Sequence, residues 1–469
     1  MRPYFFNGEL VDPGVDVVSF YADQFPEGEV GRSAAERYEI PLFDSIDEAL
    51  CVGGKELAVD AVLAIGEHGE YPTNQRHQKQ YPRKEFFDQA LAVMRRSGRY
   101  VPYFNDKHLS WRFDWAREMY DAAREHGFPL FGGSSVPYAQ RRPDFELPPN
   151  AVIEEAVSIH GGELESYDIH GIEVLQAIVE KRRGGETGVA SVQYLSGEAL
   201  RETEKQGLWS RQLAEDALQA EFGPQRPTLE EIAGDGLYGH LFTYRDGMRG
   251  LVLRVGSNSK RWLFGCRLKG ETDSRAFAHY VGPWGNRCLF KGLAHAIQTE
   301  FRTGKEPIPA ERCLLTTGMV DFAMRSWEQQ GKAIETPELH IPYQPIDETA
   351  LRETGRTWEI IRPGDAEPHG FEPGDARWLQ LDEAAMVSGT VSVAGEPLAA
   401  GRLGFWSDEH GSWGCDVKDG RYSMARVPAG EYRVKVFAEK YSSRPASRSS
   451  SIPTVVHGTS ASRFDFDLP

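Results

Sequence analysis

Hydrophobic and polar positions follow three rhythms along the chain. Up to about residue 131, short apolar runs alternate with stretches of helical spacing. The runs lie at 15–20, 58–65, the start of 99–110, and 128–131. Between them Phe87, Ala90, Leu91 and Met94 recur at i, i+3, i+4 and i+7, which predicts an amphipathic helix over 84–97 that Gly98 stops. A second helix is predicted over 111–126, stopped by Gly127. Apolar runs of about four to eight residues between helices read as buried parallel strands. Their alternation predicts βαβ units.

A Pro- and Arg-rich stretch at 137–149 ends this rhythm. Strand patterns follow at 151–158, 189–195, 239–244, 250–255 and 262–268, with Asp246-Gly247 as a hairpin turn between two of them. Helices are predicted over 172–181, 211–220, 289–303 and 310–330, which makes an α+β domain with a mostly antiparallel sheet. After a Pro- and Gly-rich stretch, β runs separated by Lys418-Asp419-Gly420 and Pro428-Ala429-Gly430 predict a small all-β sandwich. The expected division is 1–140 parallel α/β, 141–342 α+β, 343–385 linker and 386–469 sandwich, with a Ser-rich loop at 442–451.

Composition narrows the function. A chain of 469 residues exceeds one compact core. A net charge of −17 argues against nucleic acid, whose phosphates need a basic surface. No apolar stretch is long enough to span a bilayer, and no signal peptide opens the chain. Cys51, Cys266, Cys288, Cys313 and Cys415 are scattered without zinc spacing, so reduced thiols and the cytoplasm are expected.

Candidate chemistry collects after the run that opens 99–110, where Asn105, Asp106, Lys107 and His108 follow in a row. Ligands of open α/β sheets bind beyond the carboxyl ends of the strands. The same residues also suit a plain turn, with Asp106 or Ser110 capping the next helix. Glu67, His68, Glu70, His77, Asp106, His108 and His170 are donors for a divalent metal, although no tight ligand spacing joins them. Tyr71, Tyr81, Arg83, Tyr103, Trp111, Tyr138, Arg141 and Arg142 offer aromatic and basic faces to a sugar, or plain core. Gly132-Gly133-Ser134-Ser135 reads equally as an anion-binding turn or a simple one.

Several blocks, in this order, resemble the glucose–fructose oxidoreductase / inositol dehydrogenase / MocA family. They are VDAVLAIGEHG, VPYFNDKHLS, GGELESYDIHGIEVLQAI and RTGKEPIPAERCLLTTGMVDFAMRSWEQQGKAIETP, spanning about 15–340. The resemblance implies a Rossmann-like domain followed by an α+β domain whose large open sheet packs against a partner, hence a homo-oligomer. Lys107 falls on the family's lysine between cofactor and substrate, and Asp106 on the glutamate before it. His108 replaces a proline. His170 falls on the histidine that acts as acid/base on the substrate hydroxyl, and Glu173 on the acidic position after it. Ser166 stands where the family has aspartate, and Asp168 where it has glycine.

The implied catalytic set is therefore Lys107 and His170, with Asp106 and Asp168 setting their charge. Implied cofactor contacts are Asp23, Gly66, Glu67, His68 and Asn105. Implied substrate contacts are His108, Tyr167 and Glu173, and no metal is assigned. The activity implied is oxidation or reduction of a sugar, cyclitol or related polyol with NAD or NADP. A non-redox, metal-assisted lyase or hydrolase acting on a carbohydrate is one alternative, and a non-catalytic carbohydrate-binding protein another. The family's G-x-G-x-x-G loop does not precede these blocks, so the first βα unit is missing or divergent. The third region resembles the carboxypeptidase-regulatory-like, or transthyretin-like, sandwich, through GTVSVAGEPLAAG, DVKDGRYSMARVPAGEYRVKV and FDFDL. Such modules are often extracytoplasmic. A truncated N-terminus would account for both the absent loop and the absent signal.

Overall fold

The computed structural model describes residues 4–7, 9–26, 31–223, 227–281, 287–355, 385–407, 411–427, 430–438, 452–456 and 462–468. The chain divides into two compact units, Val15–Arg352 and Met1–Gly14 with Glu353–Pro469. The boundary expected at 140 lies inside the larger unit. The residues ahead of Val15 group with the β-rich end of the chain.

In the larger unit, Val62–Ala64, Tyr103–Asp106 and Leu130–Gly133 form a three-stranded parallel sheet. The helices Arg83–Ser97 and Phe113–His126 connect its strands. Each ends where predicted, on a glycine in the left-handed region: Gly98 at φ 61° and Gly127 at φ 70°. Tyr103, Phe104, Leu130 and Phe131 are buried, as central parallel strands require. The run at 58–65 is only partly so. Leu63 is 43% and Ile65 58% exposed, because no described strand pairs with the outer edge of Val62–Ala64. Phe20–Tyr21 and Leu42–Phe43 pair as a separate two-stranded parallel sheet. In the dinucleotide-binding strand order the first strand stands between two such groups. Among the described residues nothing occupies that lane.

An eight-stranded sheet follows, in the order Ile334–Glu335, Val189–Ser196, Tyr238–Tyr244, Arg249–Arg254, Ile153–His160, Trp262–Leu268, Arg275–Tyr280, Gln140–Arg142. All its pairings are antiparallel except Ile153–His160 with Arg249–Arg254. The helix Asp168–Val179 covers one face. Every residue in it but His170 is buried, the polar Asp168, Glu173 and Gln176 included. The other face was expected to stay open for a partner. It is covered instead by this chain, where Leu213, Ala214, Ala217 and Leu218 of the helix Arg211–Phe222 pack on Val157, Ile159, Leu251 and Leu263.

The second unit joins nine strands edge to edge around Val387, Val391, Leu403, Phe405 and Val434. Its predicted turn at 418–420 forms, with Asp419 at φ 49° and Gly420 at φ 70°, the two positive angles a tight hairpin needs. The Ser-rich loop at 442–451, residues 428–429 and most of the expected linker (356–384) lie outside the described residues. No described helix is long and apolar enough to cross a membrane.

Candidate functional site

Tyr103–Asp106 delivers Lys107 to the carboxyl end of the parallel sheet in the left-handed region, at φ 60°. For a residue with a Cβ that conformation costs about 1–2 kcal/mol. Two backbone bonds hold it there: Lys107 N–H donates to Gly133 O at 3.2 Å, and Gly133 N–H to Lys107 O at 2.9 Å. The approach needs glycine at 132, where a Cβ would lie 2.7 Å from Cys313 Sγ and 2.9 Å from Asn105 O. Asn105 closes the turn by donating from Nδ2 to His108 O at 2.9 Å.

The Lys107 ammonium lies 3.0 Å from Asp106 Oδ2 and pairs with the Glu67 carboxylate. Burial pushes Lys107 down to about 8 and the Asp106 carboxyl up. Lys107 therefore gives up its proton more readily than an exposed lysine.

His170, the one residue of its helix to reach the surface, lies 2.6 Å from Ser134 Oγ through Nδ1. Among the described residues its Nε2 has no hydrogen-bond partner. Burial, then the positive charges of Lys107 and Arg83 and the nearby His160, keep the ring well below the usual histidine range. It is a neutral imidazole at physiological pH. The Trp262 ring lies edge-on to His170 at 5.3 Å and parallel to Tyr167 at 5.8 Å. Gly162 permits this, because a Cβ there would sit 1.9 Å from the Tyr167 ring.

Asp168 lies deeper. Its carboxylate accepts from Tyr238 Oη at 3.0 Å and from Glu165 N–H at 2.7 Å, with His160 Nε2 3.0 Å and His240 Nε2 3.1 Å away. Burial alone would raise it, but the two histidines hold it well below the usual carboxylate range. The expected pairing of Asp168 with His170 is not made, and Ser134 fills that place.

The remaining expected residues divide. Glu67, Asp106 and Lys107 meet, and His170 and Tyr167 belong to the same site. His108 is buried and bonded through Nε2 to Arg83 Nη1 at 3.0 Å. Glu173 is buried against Thr316, and burial pushes it up to about 7. Gly66 is packed on Arg83, where a Cβ would meet Cγ at 3.0 Å. His68 is exposed at φ 64°. Asp23 accepts from Tyr21 and Tyr71, at 3.0 and 2.8 Å. Tyr138 and Arg141 are buried. Among the described residues no three His, Cys, Asp or Glu side chains converge as a metal site, so the expected donor set does not assemble. His77 instead packs edge-on to Trp327.

Sequence reasoning missed Ser134 as a partner of His170, and it missed Glu165, His160, His240 and Tyr238. Only period-two spacing in the strands could have pointed to His160 and His240. Glu165 lies within a quoted block but matched no motif position.

The dinucleotide is poorly matched. A pyrophosphate cradle needs a strand, a glycine loop and then a helix N-terminus. The spacing G-x-G-x-x-G occurs once, from Gly234 to Gly239, but there a 3-10 turn leads into the strand Tyr238–Tyr244. The helix Arg83–Ser97 starts at Pro82 without a side-chain cap. The described residues do not form the cradle.

No protein-family model matches the chain, and no curated protein matches it. Among solved structures, the chain is similar to GenD2 from gentamicin A biosynthesis in complex with NAD, at 13% identity and a TM-score of 0.39, over 65% of this chain and 85% of that one. It is similar to myo-inositol dehydrogenase from Lactobacillus casei in complex with NAD(H) and myo-inositol, at 14% and 0.44, over 69% and 89%. It is also similar to aldose-aldose oxidoreductase from Caulobacter crescentus complexed with glycerol, at 13% and 0.38, over 68% and 91%. All three TM-scores fall below 0.5.

Proposed function

We propose that the protein is an enzyme that moves protons at a hydroxyl or carbonyl carbon of a small polyol or sugar. One observation carries the reading: a lysine lowered to about 8 and a neutral histidine with a free Nε2 share the carboxyl end of a parallel sheet. Groups that titrate near the working pH are suited to general acid–base catalysis. His170 takes or returns the hydroxyl proton at Nε2. Lys107 holds the substrate oxygen and balances its charge, while Tyr167, backed by the buried Trp262 ring, offers an apolar wall to a sugar ring. Proton transfer is the half of an oxidoreductase reaction that these residues support. The one G-x-G-x-x-G leads into a strand rather than a helix, and the helix Arg83–Ser97 starts at Pro82 without a side-chain cap, which favours, as a second reading, a non-redox reaction such as a lyase step. Titration with NAD(H) and NADP(H), followed by nicotinamide fluorescence and native mass spectrometry, separates the two. Saturable binding supports the oxidoreductase. No binding at millimolar cofactor sinks it and leaves the lyase.

A further inference from the structure

We propose that Glu165 is a buried carboxylic acid that keeps its proton at neutral pH and thereby decides which side of the site the Arg83 guanidinium serves. The proposal rests on the acid–base reading above and deepens it. Glu165 is a positioning residue, acting on Lys107 through Arg83 and Glu67.

Arg83 is 1% exposed and its Nη1 lies 3.0 Å from His108 Nε2. A guanidinium only donates, so Nε2 is the acceptor and the His108 proton sits on Nδ1. Glu165 Oε1 lies 3.5 Å from the same Nε2. An ionised carboxylate would face that nitrogen acceptor to acceptor; a proton on Glu165 takes the negative charge out of this contact, while the single Nε2 lone pair stays with Arg83. Glu165 is 2% exposed, and its Oε1 has no hydrogen-bond partner. The residue is held at φ 66°, a conformation that persists in a side-chain-bearing residue only where its surroundings impose it. Around the carboxyl stand Arg83, His108, Asp168, Asp321 and the Lys79 N–H. Burial pushes Glu165 up to about 8. Asp168 and Asp321 add to this, while Arg83 and the Lys79 N–H oppose it.

The other side of Arg83 faces the lysine corner. Its Nη2 is 4.0 Å from Glu67 Oε2, and Glu67 pairs with Lys107. Arg83 Nε and Nη2 are buried without hydrogen-bond partners. One guanidinium thus stands between two carboxyl groups. While Glu165 is neutral, Arg83 shares the charge of Glu67, and Lys107 gives up its proton more readily. Once Glu165 ionises, Arg83 turns to it and Glu67 serves Lys107 alone. The linked change is Glu165 carboxylic acid plus Lys107 amine giving Glu165 carboxylate plus Lys107 ammonium, with one proton moved and none gained or lost.

Glu165→Gln holds the neutral state at nearly the same volume. The folded wild type keeps the Glu165 proton to a higher pH than the unfolded chain does. This carboxyl therefore lowers the folded-to-unfolded ratio by up to about tenfold per pH unit as pH rises from about 5 to 8. E165Q lacks that slope, so its melting temperature should overtake the wild type progressively across the interval. Parallel curves for the two proteins overturn the proposal. If E165Q does not fold, the infrared difference spectrum of the wild type minus Glu165→Leu gives a second measurement, because it cancels Glu173, Glu180, Glu300 and Asp106, which burial also raises, and leaves the band of residue 165. A protonated-carboxyl band at pH 7 that disappears by pH 9 supports the proposal, and its absence at pH 7 overturns it. In activity, E165Q should move the limb set by Lys107 to lower pH, and an unmoved limb in a folded variant counts against the coupling. Absence of any acid–base activity would sink the functional reading, while the stability curves would still decide the state of Glu165.

Discussion

Two corners of the larger unit bury charge in opposite ways. The Asp168 carboxylate is fully buried, and both its oxygens are met by neighbours: His160 and Tyr238 at Oδ1, His240 and the Glu165 N–H at Oδ2. The Lys107 corner sets one ammonium, 17% exposed, beside two carboxylates on a strained backbone. Burial disfavours charge in both places. Compensation outweighs burial around Asp168, which its two histidines hold well below its usual range. Around Lys107 it is incomplete, and the amine falls to about 8. Depth alone therefore does not make a group reactive; an unsettled set of partners does. The Asp168 nest reads as the anchor and the Lys107 corner as the chemistry.

The largest effect should come from breaking the anchor. Asp168→Asn keeps the shape but removes the charge that His160 and His240 face, and it turns an amide N–H₂ toward donors. Breaking one side of a buried ionic cluster costs about 3–5 kcal/mol. The melting temperature should fall by several degrees, with activity lost through folding. An unchanged melting temperature with activity abolished would move Asp168 into the chemistry and erase the distinction.

Lys107→Met strikes the other corner and should reverse the pattern. Turnover should drop by about 10²–10⁴-fold, the range for removing a positioned acid–base group, with a smaller loss in thermal stability than D168N. The pH dependence gives a second check. In the wild type the unfolded chain binds the Lys107 proton up to about 10.4, whereas the folded chain releases it at about 8. The unfolded state binds more protons in that window, so this group makes stability rise with pH there. K107M should lose that rise. If K107M melts far below D168N, the lysine is the anchor and the comparison is inverted.

Much of the frame is legible because it depends on local rules. The rhythm of 84–131, the stops at Gly98 and Gly127 and the turn at Asp419-Gly420 follow from spacing and left-handed geometry, and the strand end that carries Lys107 follows from them. The site is less legible. His170 and Asp168 lie two residues apart, yet one reaches the surface while the other faces strands distant in sequence. Two of the partners of Asp168, Tyr238 and His240, come from a strand 70 or more residues on, and no motif joins them to it. The apolar pattern of 58–65 reads as a buried strand, but burial also needs a neighbour on its outer edge. The helix at 211–220 was expected, yet nothing local says that it lies on the sheet face reserved for a second copy.

The smallest effect tests how His170 is aimed. Ser134 Oγ accepts from the Val136 N–H at 3.0 Å and lies 2.6 Å from His170 Nδ1. A hydroxyl oxygen has two lone pairs, so it can accept from both groups at once. With the His170 proton on Nδ1, donated to Ser134, Nε2 presents a lone pair to a substrate hydroxyl. With the serine donating instead, Nε2 carries the proton and can return it to a carbonyl. One residue thus serves both directions of transfer and fixes the ring for each. Ser134→Ala leaves the ring without this partner. Turnover should fall about tenfold, worth roughly 1.4 kcal/mol, with KM little changed and Ser134→Thr restoring most of the loss. Stability should drop by about 1 kcal/mol, because the Val136 N–H loses its acceptor. If S134A loses that stability yet turns over like the wild type, Ser134 only anchors the turn, and His170 takes its aim from Trp262 and Tyr167.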